Sequence, residues 1–341
     1  MKKNLLFVML CFTAFHLKGQ VTKCEDVKKN LLFSENRDTV AWMHGGLINV
    51  GINQGFLHNW AAGGELASLA VNGIFNGYLV HYNHNVVWSN NLDLTYGLNY
   101  VYSNNFVPRK IDDRIDFTSK YGSGVKGEKS LFYTALFNLK SQFTKGFDYS
   151  VPNWDSMPTS GTLSPAYLTL ALGLEYRKGN VLSLFLSPLA ARATYASAKY
   201  TSLGPQGAFG IPYGKTSKYD LGAYFSSRYN ANLTKVISYS TRLDLYTNYL
   251  AKDTKDITGS VIKRDDPRNI QVMWDNLITW KACKWIGLTF GCTVAYNNDN
   301  PYSSTYIDKV TGLPVDKNQP GEGMGWVQFK EIFTLGLTYK F

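Results

Sequence analysis

Long apolar runs are missing from this chain once its first twenty residues are passed. No later stretch reaches the roughly 18 apolar residues that a membrane-spanning helix needs, so helical spans are excluded. If the protein lies in a membrane, it must be a closed β-barrel, because only helices and closed barrels satisfy their backbone hydrogen bonds in hydrocarbon. Basic residues are in excess, but no basic stripe runs through the sequence, which argues against nucleic acid as a partner.

Histidine is also scarce, with five residues in the chain. His81 and His84 could approach each other in a turn, but no carboxylate or Cys accompanies them, which favours a polar turn over a metal pair. The segment 297–300 offers oxygen ligands for calcium and fits an ordinary Asn-rich and Asp-rich turn better. Spacing places no nucleophile beside a base. We therefore expect no catalytic residues, no metal and no cofactor.

The first residues, MKKNLLFVMLCFTAFHLKGQ, are typical of a secretory signal peptide. Two lysines precede an apolar stretch too short for a membrane anchor, and small or polar residues around Gly19 allow cleavage. The predicted organisation is a signal peptide over 1–20, a periplasmic segment of unknown role over 21–43, and a barrel over 44–341.

Apolar and polar residues alternate along most of the remaining chain. From 91 to 100, Leu or Tyr occupies every even position, while Asn, Asp, Thr or Gly fills the odd ones. A period of two indicates a β-strand with one apolar and one polar face. The pattern predicts strands over 46–57, 66–79, 88–100, 113–124, 131–143, 166–176, 181–192, 219–232, 237–249, 269–281, 285–297 and 328–341. These are about 12 strands, an even number as in bacterial barrels, and ambiguity around 192–218 leaves 14 open.

The connections between these strands alternate between short and long. Short turns such as 177–180 and 233–236 are separated by long segments such as 193–218 and 298–327. Short periplasmic turns and long outer loops are typical of outer-membrane barrels, and aromatic residues at the ends of the apolar stripes fit the two interfacial girdles. The predicted fold is all-β: a transmembrane, antiparallel, up-and-down barrel. A soluble sandwich would share the alternation but has no reason to sort its loops by length.

The polar faces of the strands would line the lumen. Charges of the two signs occur there in roughly equal number, which favours ion pairs between strands and a narrow or occluded interior, since an open porin needs about 16 strands. The two longest loops could fold inward as a gate. The candidate lumen residues are Arg114, Asp116, Lys120, Lys140, Gln142, Glu175, Arg228, Arg242, Asp244, Asp275 and Lys281.

The last strand, EIFTLGLTYKF, ends in mid-alternation on an aromatic residue. We expect it to pair with the first strand, which closes the barrel and leaves no edge. Its apolar face resembles the terminal signal that barrel-assembly machinery reads. The predicted signal residues are Phe333, Leu335, Leu337, Tyr339 and Phe341.

Two cysteines near the periplasmic side are candidates for a disulfide. Cys283 falls in a short turn on the same side as the amino terminus, so Cys24 could pair with it in an oxidising periplasm. Cys292 is in phase with the apolar face and should face lipid as a free thiol.

Taken in order, several short strings resemble a known family of outer-membrane barrels. The strings are WAAGGE (60–65), DDRIDFTSKYG (112–122), SQFTKGF (141–147), SPAYLTLALGLEY (164–176), LSPLA (186–190), GAFG (207–210) and QFKEIFTLGLTYKF (328–341). Together they are similar to the Bacteroidetes-type family filed as domain of unknown function 3078, from about residue 42 onward. The resemblance implies an outer-membrane barrel and carries no assigned activity or site.

The sequence favours an integral outer-membrane protein that acts as a narrow channel or translocator for a small hydrophilic solute. A non-conducting barrel with a structural or partner-binding role is the alternative, and an outer-membrane enzyme is less favoured. The expected partners are outer-membrane lipid, the barrel-assembly machinery and an envelope protein bound by the long loops. The expected location is the outer membrane, after cleavage of the signal peptide.

Overall fold

Twelve strands form one closed antiparallel barrel. The computed structural model of the protein describes residues 41–57, 66–149, 154–179, 181–204, 207–255, 261–263, 265–283, 285–297, 299, 305–307, 314–316 and 327–340. The barrel strands are β1 (Ala41–Phe56), β2 (Ala67–Asn83), β3 (Val86–Val101), β4 (Arg109–Gly124), β5 (Leu131–Ser141), β6 (Ala166–Lys178), β7 (Leu182–Tyr195), β8 (Ser217–Asn232), β9 (Ile237–Asn248), β10 (Gln271–Lys281), β11 (Ile286–Tyr296) and β12 (Val327–Lys340). Each strand pairs with its neighbours in sequence, and β12 pairs with β1, as the prediction required.

The short and the long connections between strands lie at opposite ends of the barrel. Short turns occupy 84–85, 125–130, 179–181, 233–236 and 282–285, and long segments occupy 57–66, 102–108, 142–165, 196–216, 249–270 and 297–326. Because consecutive strands are antiparallel, all the short turns lie at one end and all the long segments at the other. The predicted alternation is confirmed.

The long segments contain small elements of their own. Two-stranded hairpins join Gly146–Phe147 with Pro158–Ser160, Thr254–Lys255 with Val261–Lys263, and Thr305–Ile307 with Pro314–Asp316. One helical turn, α1 (Ala198–Thr201), follows β7. The ambiguous region before β8 therefore adds no barrel strand, and the count is 12 rather than 14. Among the described residues, no helix is long and apolar enough to cross a membrane.

The two faces of each strand have opposite character. Along β6, Leu168, Leu170, Leu172 and Leu174 point outward and are exposed, whereas Thr169 and Glu175 point inward and are buried. An outward apolar band over a polar interior suits a wall in contact with hydrocarbon. The central outward residue, Leu172, is 61% exposed.

Exposed aromatic side chains lie near both ends of this apolar band. Those near the short turns include Trp88, Tyr133, Tyr176, Trp280 and Tyr339, and those near the long segments include Phe56, Tyr195, Tyr219, Tyr249 and Phe329. Rings at these two levels match the aromatic girdles of membrane barrels.

Two strands begin four or more residues earlier than their alternation indicates. β1 starts at Ala41 instead of 46, because His44 and Gly46 occupy outward positions and interrupt the apolar face. β4 starts at Arg109 instead of 113, because its charged opening residues read as a loop and a register shift opposite Gly97 breaks the period. The predicted signal peptide and most of the predicted periplasmic segment lie outside the described residues.

Candidate functional site

A group of charged side chains meets across the lumen at mid-height. We call the following six residues the mid-lumen plug: Arg114, Asp116, Lys140, Arg242, Asp244 and Asp275. They come from β4, β5, β9 and β10 and all point inward, because each lies on the polar face of its strand. Asp116 is 1% exposed, so the centre of the plug is shielded from solvent.

The plug joins opposite walls of the barrel. The guanidinium Nη1 of Arg114 lies 3.0 Å from Oδ1 of Asp275, and β4 and β10 are six strands apart in the ring of twelve. Nη1 of Arg242 lies 2.9 Å from Oδ2 of Asp116, again between distant strands. These pairs therefore span the lumen at this height.

Further contacts complete the plug. Nη2 of Arg242 lies 2.9 Å from Oδ2 of Asp244, and Nζ of Lys140 lies 2.9 Å from the same oxygen. Oδ2 of Asp93 on β3 forms longer ion pairs, at 3.8 Å, with Nη2 of Arg228 and with Nη1 of Arg242. With Asp93 and Arg228 included, four acids face four bases, so the charge of this layer cancels.

Neutral side chains donate further hydrogen bonds to three of these carboxylates. Asn138 donates to Asp116 at 2.7 Å, Ser226 donates to Asp244 at 2.8 Å, and Thr293 donates to Asp275 at 2.6 Å. Such bonds are required because burying a charge is costly unless its lone pairs are satisfied as well.

A second polar cluster lies closer to the short turns. Glu175 on β6 accepts from Lys120 at 3.2 Å, from Arg177 at 3.2 Å and from Ser183 at 2.6 Å. Arg177 also donates to Ser89 on β3 at 2.9 Å. The sequence missed Arg177, because its position after the apolar stripe of β6 reads as part of the turn.

A third cluster, here called the mouth cluster, lies where the barrel meets the long segments. Nζ of Lys218 lies 3.1 Å from Asp299 and 3.4 Å from Asp220. Gln271 donates to the other oxygen of Asp299 at 3.0 Å. Asp299 belongs to the segment 297–326, so this residue of the longest loop contacts inward-facing side chains of the barrel. The inward folding of the loop as a gate stays a prediction. No spacing signal marks Lys218 as the partner of Asp299.

Nine of the eleven predicted lumen residues lie in the plug, next to it or in the second cluster. Gln142 does not: β5 ends at Ser141, and the Gln142 amide donates to Ser160 at 2.7 Å and to the Gly161 carbonyl at 2.9 Å within the outer segment. Lys281 is the last residue of β10, and it forms no ion pair with any residue that the structure describes.

The other candidate residues are dispersed. His81 points outward and packs against Trp42 with ring centroids 4.4 Å apart, while His84 lies in the turn and contacts Asn83 at 2.6 Å. Asp299 pairs with Lys218, and its backbone N–H donates to Oδ1 of Asn297 at 2.9 Å; Asn298 and Asn300 lie outside the described residues. Within the described part of the chain, no group of three or more His, Cys, Asp or Glu could hold a metal.

The terminal signal residues point outward where they are described. Phe333, Leu335, Leu337 and Tyr339 are exposed on β12, and Phe341 lies outside the described residues. Their recognition by the assembly machinery stays a prediction.

The two described cysteines, Cys283 and Cys292, lie where the pattern places them. Cys283 is exposed in the turn 282–285, while Cys24 lies outside the described residues, so the disulfide stays a prediction. Cys292 on β11 is the register partner of the outward Glu331, which puts its side chain on the outer face.

Residues 52–147 match the family described as Protein of unknown function (DUF3078). This is the family that the sequence resembles. The resemblance is confirmed over these residues, a smaller part of the chain than the strings span. No curated protein matches the chain.

Solved structures that are similar to this chain include outer-membrane barrels. The translocator domain of the autotransporter NalP from Neisseria meningitidis is 10% identical over 93% of this chain and 96% of its own, with a TM-score of 0.34. An outer membrane channel from Pseudomonas putida F1 is 12% identical over 89% and 95%, with a TM-score of 0.33. OmpT of Vibrio cholerae is 8% identical over 89% and 100%, with a TM-score of 0.29.

Proposed function

We propose that this protein is a narrow channel or translocator of the outer membrane for a small hydrophilic solute, and that the mid-lumen plug keeps it closed at rest. The observation that carries the proposal is the set of ion pairs that join β4 with β9 and β10 across the lumen. The signal-like amino terminus and the outward apolar band support an outer-membrane location.

The chemistry of the plug supports a gate more than a scaffold. An apolar filling would hold a barrel shut at least as well, because replacing buried ion pairs by packed apolar residues is often neutral or stabilising. Charged side chains have a different property: once separated, each can be hydrated. A plug made of ion pairs can therefore become a wet passage, which a plug of packed Leu and Phe cannot.

The test is single-channel conductance in planar bilayers. The wild-type protein should show long closed periods. The test variant lacks both ion pairs and carries Arg114→Ala, Asp275→Ala, Asp116→Ala and Arg242→Ala. It loses two acids and two bases, so its net charge is unchanged, and it should conduct steadily. The matched control is Asp266→Ala with Arg268→Ala, which removes an exposed 3.0 Å pair in the segment 249–270.

Folding of each variant is checked by the difference in gel mobility between boiled and unboiled samples. A correctly folded four-fold variant that carries the same current as the control would exclude the plug as the gate, and the absence of current from both would exclude the channel. Should that variant fail to fold, the double variant Arg114→Ala with Asp275→Ala repeats the comparison with one pair removed.

A non-conducting barrel that binds an envelope protein is the second candidate. The mouth cluster favours it, because Asp299 ties the longest loop onto the lumen above the plug. Deleting residues 300–326 from this loop should then abolish co-purification of a partner while the barrel stays folded. We propose no enzymatic activity; lipid and the barrel-assembly machinery are the other proposed partners.

A further inference from the structure

One inward-facing arginine on the outer side of the plug has no acid of its own. Arg192 lies near the outer end of β7, and its register partner on β8 is Asp220. The carboxylate of Asp220 already lies 3.4 Å from Nζ of Lys218 and accepts from Asn248 at 2.8 Å. Arg192 forms no ion pair with any described residue. The arginines deeper in the lumen each pair with a carboxylate: Arg114, Arg177, Arg228 and Arg242.

The guanidinium of Arg192 is held in one orientation. Its Cζ lies 3.7 Å from the centre of the Tyr246 ring, which is the separation of two stacked planes. Its Nη1 donates to Oε1 of Gln271, and the amide nitrogen of Gln271 donates in turn to Asp299 at 3.0 Å. Stacking uses only the flat face of a guanidinium, so the N–H groups in its plane stay available for acceptors.

The remaining edge of this guanidinium has no acceptor. Neither Nε nor Nη2 of Arg192 donates a hydrogen bond to a described residue, and Nε is buried. The hydroxyl of Tyr246 is also buried without a partner in the described part of the chain. An unpaired buried donor is costly, so two of them on stacked side chains call for an acceptor from outside these residues.

A second arginine adds positive charge at the outer end of the lumen. Arg109 is the first residue of β4 and the register partner of Asn99 on the inward face of β3. Its Cζ lies 5.5 Å from the centre of the Tyr149 ring, and it forms no ion pair with a described residue. The described acids of this region each pair with a lysine instead: Asp112, Asp113, Asp220 and Asp299. The two arginines therefore leave a positive field that attracts anions.

We propose that the solute of this channel is a small anion with a carboxylate or phosphate group, and that Arg192 binds it on the outer side of the plug. Two oxygens of the anion accept from Nε and Nη2, a pairing that suits the planar fork of arginine. Tyr246 and Gln271 fix the guanidinium in advance, which lowers the cost of ordering it on binding. Binding is independent of conduction; only the statement that the bound anion is the transported solute rests on the proposed function.

The test reads the Nε–H proton of Arg192 by NMR. The full barrel, with isotope-labelled arginine, is studied in micelles of a non-ionic detergent at constant ionic strength. The Arg192 signal is identified by its loss in Arg192→Lys. Sodium phosphate and sodium acetate are titrated separately, with acetamide as the uncharged counterpart of acetate. We expect a saturable shift of the Arg192 proton with at least one anion and none with acetamide, and the anion that saturates first identifies the preferred group.

An exposed arginine supplies the control. Arg268 pairs with Asp266 at 3.0 Å in the segment 249–270, so its Nε–H proton should show no saturable response. By calorimetry, Arg192→Lys should bind the preferred anion about tenfold more weakly, because it keeps the charge and loses the two-pronged contact. Arg268→Lys should bind it as the wild type does. Equal shifts of Arg192 and Arg268, or no saturable shift with either anion, would overturn the proposal.

Ion selectivity links the bound anion to transport. Under a gradient of the potassium salt of the preferred anion, the reversal potential of the four-fold plug variant should show that the anion passes preferentially. Adding Arg192→Gln should reduce this preference, and adding Arg268→Gln should not. An unchanged preference with Arg192→Gln would show that the bound anion is not the transported solute. Should no variant carry current while Arg192 still binds anions in micelles, the channel fails and the binding site stands; current without anion binding overturns the present proposal alone.

Discussion

Each charged side chain in the plug pairs with a partner on another strand. A single substitution therefore leaves the charge of that partner unpaired. Arg114 has Asp275 as its ion-pair partner among the described residues, with contacts of 3.0 Å to both carboxylate oxygens. A buried charge that loses its partner destabilises a fold more strongly than removal of the whole pair does.

Asp275→Ala should therefore lower the free energy of unfolding by about 3 to 5 kcal/mol. The double variant Arg114→Ala with Asp275→Ala should lower the free energy of unfolding by less, because no unpaired charge remains. Denaturant unfolding of the barrel in liposomes measures both, and Asp266→Ala in the exposed segment serves as the unchanged control. A double variant as unstable as the single one would show that the pair contributes by packing rather than by charge.

Glycine has a steric role at the junction of β1 and β12. A Cβ on Gly336 would collide with the backbone carbonyl of Val50, and a Cβ on Gly51 would collide with the Thr334 side chain. Because backbone atoms cannot move aside as a flexible side chain can, closure of the barrel depends on these positions.

Gly336→Ala should consequently reduce the fraction of correctly closed barrel, seen as loss of the heat-modifiable band on gels. Gly204→Ala is the matched control, since a Cβ there meets no atom within 4 Å. Equal folding yields of the two variants would contradict a steric requirement at the junction.

Strands as elements were predictable because their two faces meet different media. On β6, every outward Leu could be assigned from the sequence, since lipid on one side and a packed polar lumen on the other enforce a period of two. The alternation is lost where that contrast is weak, at the start of β1 with His44 and Gly46, and at the charged start of β4. Gln142 was misplaced because the alternation continues past Ser141, where the strand already ends.

The depth of an outward residue should set the cost of charging it. Leu172→Arg, at the centre of β6, should destabilise the barrel by about 2 to 4 kcal/mol, whereas Tyr219→Arg near the outer end of β8 should cost about 0 to 1 kcal/mol. Unfolding in liposomes gives both values. Equal costs at the two positions would contradict the assigned membrane depth.

At the scale of the whole molecule, the candidate site was only partly predictable. The alternation along each strand identified Arg114 and Asp275 as lumen residues but could not show that they pair. They become neighbours only when β4 and β10 face each other across a closed ring. The same limit applies to Lys330 with Asp112 and to Lys218 with Asp299, whose contacts depend on strand stagger and loop folding. The periodicity of a sequence predicts which way a residue points in its own strand, whereas contacts across the lumen depend on how the whole barrel closes.

The charge balance of the plug has an electrical consequence for the whole barrel. Four acids and four bases sit in one layer, so separating them sideways, each toward its own strand, moves no net charge along the membrane normal. A potential of 100 mV does about 2.3 kcal/mol of work on each elementary charge that crosses the membrane, and here the contributions cancel. Opening should therefore be insensitive to voltage: closed times recorded at opposite polarities should agree, and a steep dependence on potential would place the gate elsewhere.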